Sequence, residues 1–539
     1  MLSKKNLIFY SLVAFGVYCA IIIGVSYDEF FHYDNGERRL KYLLSFGKYD
    51  YYDILHLRYY PGLYDTLSYF FNLIFPQQYR IEIFHLTNFI TTLTGVIALT
   101  KVVKIFFSKN ISYIFFVLTF LNPIFFGHMS FNSKDNIVAA ANFWCLYYIL
   151  CYLKTSSLNK KSLISTKLGL FIGLGAGVRV VFLGSLIPYI LFFFLDICLF
   201  KKFCKDFSFK YFFPHLLKTI FIAYFVVILC WPSVHSNIFI EPFILIKNSL
   251  NDLTQGVQWS VFAGIFYETK STPWFYLFVN FFYKLPVYLI FLFITSFIFF
   301  SKMNNFYNKT YSDFIYKFIV ILFFIFIPIL ISIINNLKIH DGLRYFLYLL
   351  PLLNISSALF LYYIYQNKFI FINKIFIIFT CFFFIIFIIN FIKITPYHYT
   401  HMNFLYRINP NKSTFEHDYW GASLKELIHN FSKSKNLINN PKIAVCGVNP
   451  HVVDFYLKKY GLANYQKADI FKKFDYAIII NRTLNPGNFN EEIFTPTTCF
   501  EKLQKHKTIL IALVLSLAVG MAAALAKEHL DTARQNTKK

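Results

Sequence analysis

The chain has 539 residues, of which 57% are hydrophobic and only 15% charged, with 71 Phe, 40 Tyr and a formal net charge of +25. A soluble domain averages about 25% charged residues, so the composition excludes an ordinary soluble enzyme, a disordered chain and a small disulfide scaffold. What remains is a polytopic membrane protein. Its basic surplus then reads as the Lys/Arg bias of cytoplasmic loops, not as a nucleic-acid surface.

Spanning a bilayer core takes about 20 mostly apolar residues. Stretches of that kind lie near 6–27, 80–107, 111–127, 135–153, 165–182, 183–200, 211–235, 273–300, 314–336, 343–365, 369–392 and 507–526. The segment 61–76 is apolar but short, and reads as a re-entrant or interfacial helix or as part of a longer bent one. With the N-terminus inside and 61–76 not spanning, every short Lys-rich loop falls on one face: those holding Lys101, Lys154, Lys201, Lys302 and Lys368, and the tail ending in Lys538 and Lys539.

The opposite face receives 28–79, 128–134, the bend near Arg179, 236–272, 337–342 and 393–506. The fold expected is an all-α polytopic membrane protein of about 11–13 transmembrane helices with a small α/β domain outside the membrane. Residues 1–394 form the transmembrane domain with a long first outer loop (28–79), and 395–506 the extracytoplasmic α/β domain. In the latter, KIAVCG (442–447) and DYAIII (475–480) read as buried strands and HVVDFYLKKYG (451–461) as a helix ending on glycine. No phosphate-binding glycine motif follows either strand. Residues 507–539 form a last span and a basic tail. That span has no Phe or Tyr, a composition break that marks it as fused or atypical, and plain anchoring is its expected role.

Four polar clusters fall on the face away from the Lys-rich loops. The first is SYDEFFHYDNGERR, where Asp28 and Glu29 sit as the first span ends. Adjacent carboxylates at a membrane boundary are costly unless they coordinate, exchange protons or reach water, although a solvated helix end is the plain alternative. A Tyr-rich loop with His56, Arg58 and Pro61 follows. The second cluster, GHMSFNSKDN (127–136), places Lys134 and Asp135 at a helix start, where dipole and ammonium together would hold an anion; capping by Ser133 or Asp135 explains the same residues. The third, GLGAGVRVVFLG (173–184), surrounds Arg179 with glycines in an apolar stretch, a functional position unless the side chain merely snorkels. The fourth, KIHDGLRYF (338–346), carries His340, Asp341 and Arg344, where Arg344 suits phosphate and an Asp341–Arg344 pair is the structural alternative. Channel lining is excluded by helices made mostly of Phe, Ile and Leu. A surface cavity that works on a lipid-borne anion fits better.

These features resemble the GT-C superfamily of integral-membrane glycosyltransferases, which includes protein O-mannosyltransferases and the aminoarabinose transferase of lipid A, over residues 5–500. The resemblance rests on Asp28–Glu29 after the first span and on the long loop with His56 and Pro61. It extends to Asn132-Ser133-Lys134-Asp135, to Asp341-Gly342-Leu343-Arg344-Tyr345, and to PYHYTHMN (396–403) and FEHDYWG (415–421). This chain departs from that pattern in having His56-Leu57-Arg58-Tyr59-Tyr60-Pro61 for His-Pro-Pro, Tyr345 for His and Ser133 for Pro.

The resemblance implies sugar transfer from a polyprenyl-phosphate donor to a lipid, glycan or protein hydroxyl, on the non-cytoplasmic side of the inner (cytoplasmic) membrane. Asp28 is then the expected base, with Glu29 as a second catalytic carboxylate. His56, Arg58, Lys134, Asp135, Arg179, His340 and Arg344 would bind substrate or phosphate. A divalent cation, if used, would fall to Glu29 and Asp135 as oxygen ligands; nothing in the spacing argues for zinc. A lipid-linked oligosaccharide polymerase or ligase and a lipid-linked sugar transporter are the competing readings. Cys446 and Cys499 both fall in the outer domain, and sequence leaves open whether they pair.

Overall fold

The protein is described by a computed structural model at residues 4–499 apart from 52–54, 205–206, 251–257, 336, 338, 369, 409–414, 435–436, 470–472, 481 and 484–498. The anchor expected at 507–526 lies outside the described residues.

Helices dominate. Helix α1 (Lys4–Ile22) is followed by α2 (Glu29–Leu44), which begins on the acidic pair and packs along α3 (Leu63–Asn72). At ten residues α3 is too short to cross the membrane, in keeping with an interfacial helix for 61–76. Gly36 permits the contact, since a Cβ there would stand 2.3 Å from the Asp65 carbonyl oxygen.

Helices α4 (Arg80–Phe106), α5 (Lys109–Phe120), α6 (Pro123–His128), α7 (Asp135–Lys154), α8 (Leu158–Val178), α9 (Phe182–Ser185), α10 (Ile187–Leu195) and α11 (Phe209–Leu229) continue the bundle. Small residues set its closest approaches, as expected where dispersion rather than water drives packing. A Cβ on Gly95 of α4 would lie 2.5 Å from Ala140 Cα of α7, and one on Gly169 of α8 would lie 2.8 Å from the Thr219 carbonyl of α11.

Next come α12 (Glu241–Leu250) and the hairpin of β1 (Trp259–Phe262) and β2 (Ile265–Glu268), turned through Ala263 and Gly264, both at positive φ. Helices α13 (Tyr276–Lys284), α14 (Val287–Ile298), α15 (Phe300–Tyr307), α16 (Phe314–Ile334), α17 (Leu349–Gln366) and α18 (Phe371–Lys393) complete the membrane bundle. The single span expected at 273–300 is instead two helices, α13 and α14, bent by 117°. Pro286 accounts for the break: it lacks an N–H and holds Leu285 extended, at ψ 145°. Asn403 Nδ2 donates to the freed carbonyls of Phe282 and Leu285.

Among the described residues eight helical segments are long and apolar enough to span, or nine with the bent pair. Helix α5 is apolar but short and needs α6 to complete a crossing. Helix α8 falls below the same threshold because it carries Lys160, Lys161, Lys167 and four glycines. The described residues thus hold fewer such helices than the 11–13 expected, the shortness of α5 and the lysines and glycines of α8 accounting for two of the difference.

The remaining chain forms α19 (Phe404–Ile408), α20 (Leu424–Ser432), α21 (Pro450–Lys459) and a three-stranded parallel sheet. Its strands β3 (Lys442–Cys446), β4 (Gln466–Ala468) and β5 (Tyr476–Ile479) run in the order β4-β3-β5. A Cys446–Cys499 disulfide joins the end of β3 to the chain beyond β5. This α/β unit grips the segment that links α1 to α2. Val25 N–H donates to the Tyr456 hydroxyl at 2.7 Å, Tyr27 N–H to the Trp420 carbonyl, Asn449 Nδ2 to the Tyr27 carbonyl, and Lys425 Nζ to the Ile22 carbonyl.

Arg39 is the anchor of the first loop. It is 0% exposed and, among the described residues, forms no ion pair with a carboxylate. Its two terminal nitrogens instead donate to the carbonyls of Pro61, Cys230, Tyr60 and Leu57, and its Nε donates to Asn35 Oδ1. Arg39→Met would strand these buried acceptors, each costing about 1–3 kcal/mol. We expect a stability loss of at least about 3 kcal/mol, read as a lower unfolding midpoint of the detergent-solubilised protein, with the 57–61 loop loosened.

Candidate active site

The acidic pair divides between two environments. Glu29 is 5% exposed and fully engaged, its Oε2 bonded to His85 Nε2 at 2.9 Å and its Oε1 accepting from Ser26 N–H. His85 Nδ1 in turn faces the Ala20 carbonyl. Glu29 therefore stabilises the α1–α2 junction from behind, away from the charged cluster. Asp28 faces that cluster. Its side chain is 33% exposed, and the nearest cation, Lys134 Nζ, stands 3.8 Å away, beyond hydrogen-bond length.

Around Asp28 four clusters distant in sequence converge. Asp135, opening α7, is bonded at 2.7 Å by Arg179, which caps the C-terminal end of α8. Arg344 lies between two carboxylates, 3.0 Å from Asp341 and 3.9 Å from Asp135. Arg482, following β5, reaches within 3.7 Å of Asp341. Aromatic rings fill the gaps and take cations on their faces. Tyr60 faces Lys134 and Arg179 at 5.1 and 5.7 Å, Tyr345 faces Arg179 and Arg344, and Trp420 faces Arg344. Among the described residues the buried Nε–H groups of Arg179 and Arg344 have no hydrogen-bond acceptor.

The helix start at Asp135 is capped differently from expectation. Neither Ser133 nor Asp135 caps it. Asn132 Oδ1 accepts from both Lys134 and Asp135 N–H groups, which leaves the Asp135 carboxylate for Arg179. Asp341 adopts φ +56° beside Gly342 at +70°, a left-handed pair that turns Asp341 back onto Arg344.

Burial raises the Asp28 carboxyl, but Lys134, His32, Arg344 and Arg482 together outweigh it and hold the group down to about 2. His340 is displaced towards neutrality. Burial first, then Arg344 and other cations, lower it to about 4 despite Asp341. At neutral pH it is thus not a cation for phosphate, as the sequence had suggested. It is a partner for Arg344, whose terminal nitrogen lies 3.2 Å from His340 Nε2 and 2.8 Å from the Tyr345 hydroxyl. Tyr345, where the resembling family has His, thereby keeps a polar contact to the arginine.

Of the other expected residues, Arg58 is exposed and lies over Tyr59, contributing a carbonyl to Trp231 Nε1 rather than its guanidinium to the cluster. His56 belongs to a 3-10 turn whose backbone is described, while its side chain lies outside the described residues. Glu29 and Asp135, offered as ligands for a cation, take separate basic partners. Among the described residues no group of three or more His, Cys, Asp and Glu side chains is placed to hold a metal.

Sequence reasoning missed three contributors. Arg482 had a signal: it follows a parallel strand, and ligands gather at the carboxyl ends of such strands. Glu416, accepting from Ser260 Oγ and Thr483 N–H, lay within the FEHDYWG segment but was not singled out there, and Lys284, at the bend before Pro286 and over Tyr419, had no signal.

The low value of His340 has a stability consequence. The unfolded chain protonates this residue near 6.5 and the folded one only near 4, so lowering the pH through that interval favours unfolding. We expect the unfolding midpoint to fall between pH 6.5 and 4, and the fall to be smaller in His340→Gln, as followed by thermal denaturation across that range.

No family model matches the sequence, and no curated protein matches it. Among solved structures, ArnT from Cupriavidus metallidurans bound to undecaprenyl phosphate matches with a TM-score of 0.50 at 9% identity, over 88% of this chain and 85% of that one. The same protein in the apo state gives 0.49 at 10% identity over the same shares. The apo oligosaccharyltransferase of Archaeoglobus fulgidus gives 0.45 at 11% identity, over 86% of this chain and 65% of that one. At this identity the likeness is one of fold alone: the chain shares the polytopic membrane architecture of that ArnT structure.

Proposed function

We propose that the chain transfers a sugar from a polyprenyl-phosphate donor to an acceptor hydroxyl on the non-cytoplasmic face of the membrane. The observation that carries this reading is the contrast within the cluster. Asp135, Asp341 and Glu29 are engaged by basic partners, whereas Asp28 is ionised, partly exposed and, among the described residues, without a short side-chain hydrogen bond. Beside it, Lys134 and the free Nε–H groups of Arg179 and Arg344 form a donor set for a phosphate. The match to ArnT bound to undecaprenyl phosphate supports the donor class. The Cys446–Cys499 bridge and the grouping of Lys-rich loops away from the cluster support the face, because disulfides persist in oxidising compartments. The acceptor, whether lipid, glycan or protein, approaches Asp28 from its exposed side.

In the proposed reaction the Asp28 carboxylate takes the proton of the acceptor hydroxyl, whose oxygen attacks the anomeric carbon. The bond from that carbon to phosphate oxygen breaks, and the polyprenyl phosphate leaves with one more negative charge than it had as a diester. Attack opposite the phosphate inverts the anomeric centre. Lys134, Arg179 and Arg344 meet the developing charge, the role that preorganised donors fill most effectively. A carboxyl held near 2 is by itself a poor base. Donor phosphate relieves this by drawing Lys134 and Arg344 to itself, which removes the field that depresses Asp28 and raises its proton affinity.

The test is transfer and binding measured on the same variants in nanodiscs. Asp28→Asn is expected to lower the transfer rate by about 10²–10⁴ while retaining undecaprenyl phosphate binding. Lys134→Gln and Arg344→Gln are expected to weaken that binding by about tenfold or more each. Full transfer by Asp28→Asn would remove Asp28 as the base.

A further inference from the structure

We propose that Arg482, delivered by the C-terminal α/β unit, completes the anion-binding site, and that the Cys446–Cys499 disulfide is what positions it there. This rests on the phosphate-binding reading above.

The first observation is one of charge. Asp28, Asp135 and Asp341 face Lys134, Arg179 and Arg344, and these six charges cancel. Lys284 and Glu416 lie beside the same carboxylate, Asp341, as a second pair of opposite sign, and His32 pairs with Asp65 at 3.0 Å as a further one. Among the described residues of the cluster, Arg482 is the cation beyond these pairs. It tips a neutral cluster to a net positive one, which a phosphodiester donor and its more highly charged leaving group require. Its side chain is 22% exposed, and its distance of 3.7 Å from Asp341 leaves it less committed than Arg344 at 3.0 Å.

The second observation is how Arg482 is held. Its NH1 donates to the Tyr419 carbonyl at 2.7 Å, and its guanidinium stacks 5.5 Å over Tyr27, the residue before Asp28. The backbone is fixed on both sides. Ile480 N–H donates to the Cys446 carbonyl, Thr483 N–H to Glu416 Oε1, and Cys499 N–H to the Arg482 carbonyl at 3.2 Å. Cys499 is 0% exposed and bonded through sulfur to Cys446. The bridge therefore clamps the strand end from which Arg482 projects, by way of the residue that hydrogen-bonds Arg482 itself. Without the bridge, the chain carrying Cys499 has no covalent tie to β3 and the Arg482 carbonyl loses its fixed donor.

The experiment measures undecaprenyl phosphate affinity of the full chain in nanodiscs at fixed low salt. The variants are Arg482→Gln, Arg482→Lys, the double variant Cys446→Ala/Cys499→Ala, and the triple variant combining the double with Arg482→Gln. Arg344→Gln serves as the control for the site itself. We expect Arg482→Gln to weaken binding about 10- to 100-fold, the weight of a charge-assisted contact to phosphate, and Arg482→Lys to recover most of it. The double cysteine variant should weaken binding similarly, and the triple variant should be no weaker than Arg482→Gln alone. Wild-type affinity in Arg482→Gln with lost affinity in Arg344→Gln would overturn the assignment of Arg482 while leaving the phosphate site standing. Unchanged affinity in both would overturn the site reading as well. Losses that add in the triple variant, or an unaffected double variant, would overturn the positioning role of the disulfide.

Discussion

Asp135 is the point on which the charged end of the bundle depends. Its carboxylate opens α7, receives Arg179 from the end of α8 at 2.7 Å, and lies 3.9 Å from Arg344 ahead of α17. Cations brought to the end of an apolar bundle are tolerated only with partners at hand. One carboxylate serving two arginines brings three helix termini together. Among the described residues it leaves the Nε–H groups of Arg179 and Arg344 without an acceptor. On the proposed reading, those two groups are where an anion would be received.

The same economy separates the two carboxylates that end α1. Glu29 bonds His85 and fixes the junction, so that Asp28 is presented to the cations without being captured by any of them. The α/β unit enforces this from the other side by holding the backbone of Ile22, Val25 and Tyr27. Gly24 shows how close the contact is: a Cβ there would stand 2.1 Å from the Ala422 carbonyl oxygen. The unit is therefore a structural neighbour of Asp28, the proposed base.

Much of the architecture was legible in the sequence because apolar run length and Lys placement are strong local signals. The interfacial character of 61–76, the two strands around 442–480, and the polar clusters at Asp28, Lys134, Arg179 and Arg344 are all readable one segment at a time. What escaped depends on pairing between distant segments. His85 looks like any polar residue near a helix start until Glu29, 56 positions away, is placed against it. His340 looks cationic until its burial against Arg344 is known. Asn132 was passed over as a cap because the neighbouring Ser133 and Asp135 offered equivalent chemistry. The break at Pro286 was masked by the length of the apolar run around it.

The central claim is that a lipid phosphate occupies this one cluster beside Asp28. A cryo-EM structure of the protein in nanodiscs with undecaprenyl phosphate tests it most directly. The account predicts phosphate density within hydrogen-bond distance of Lys134, Arg179 and Arg344, with Asp28 facing it and the isoprenoid chain running into the membrane. Phosphate seated elsewhere, for example at Lys393 in the crevice lined by Val287, Phe383 and Phe387, with the Asp28 cluster unchanged, would contradict it.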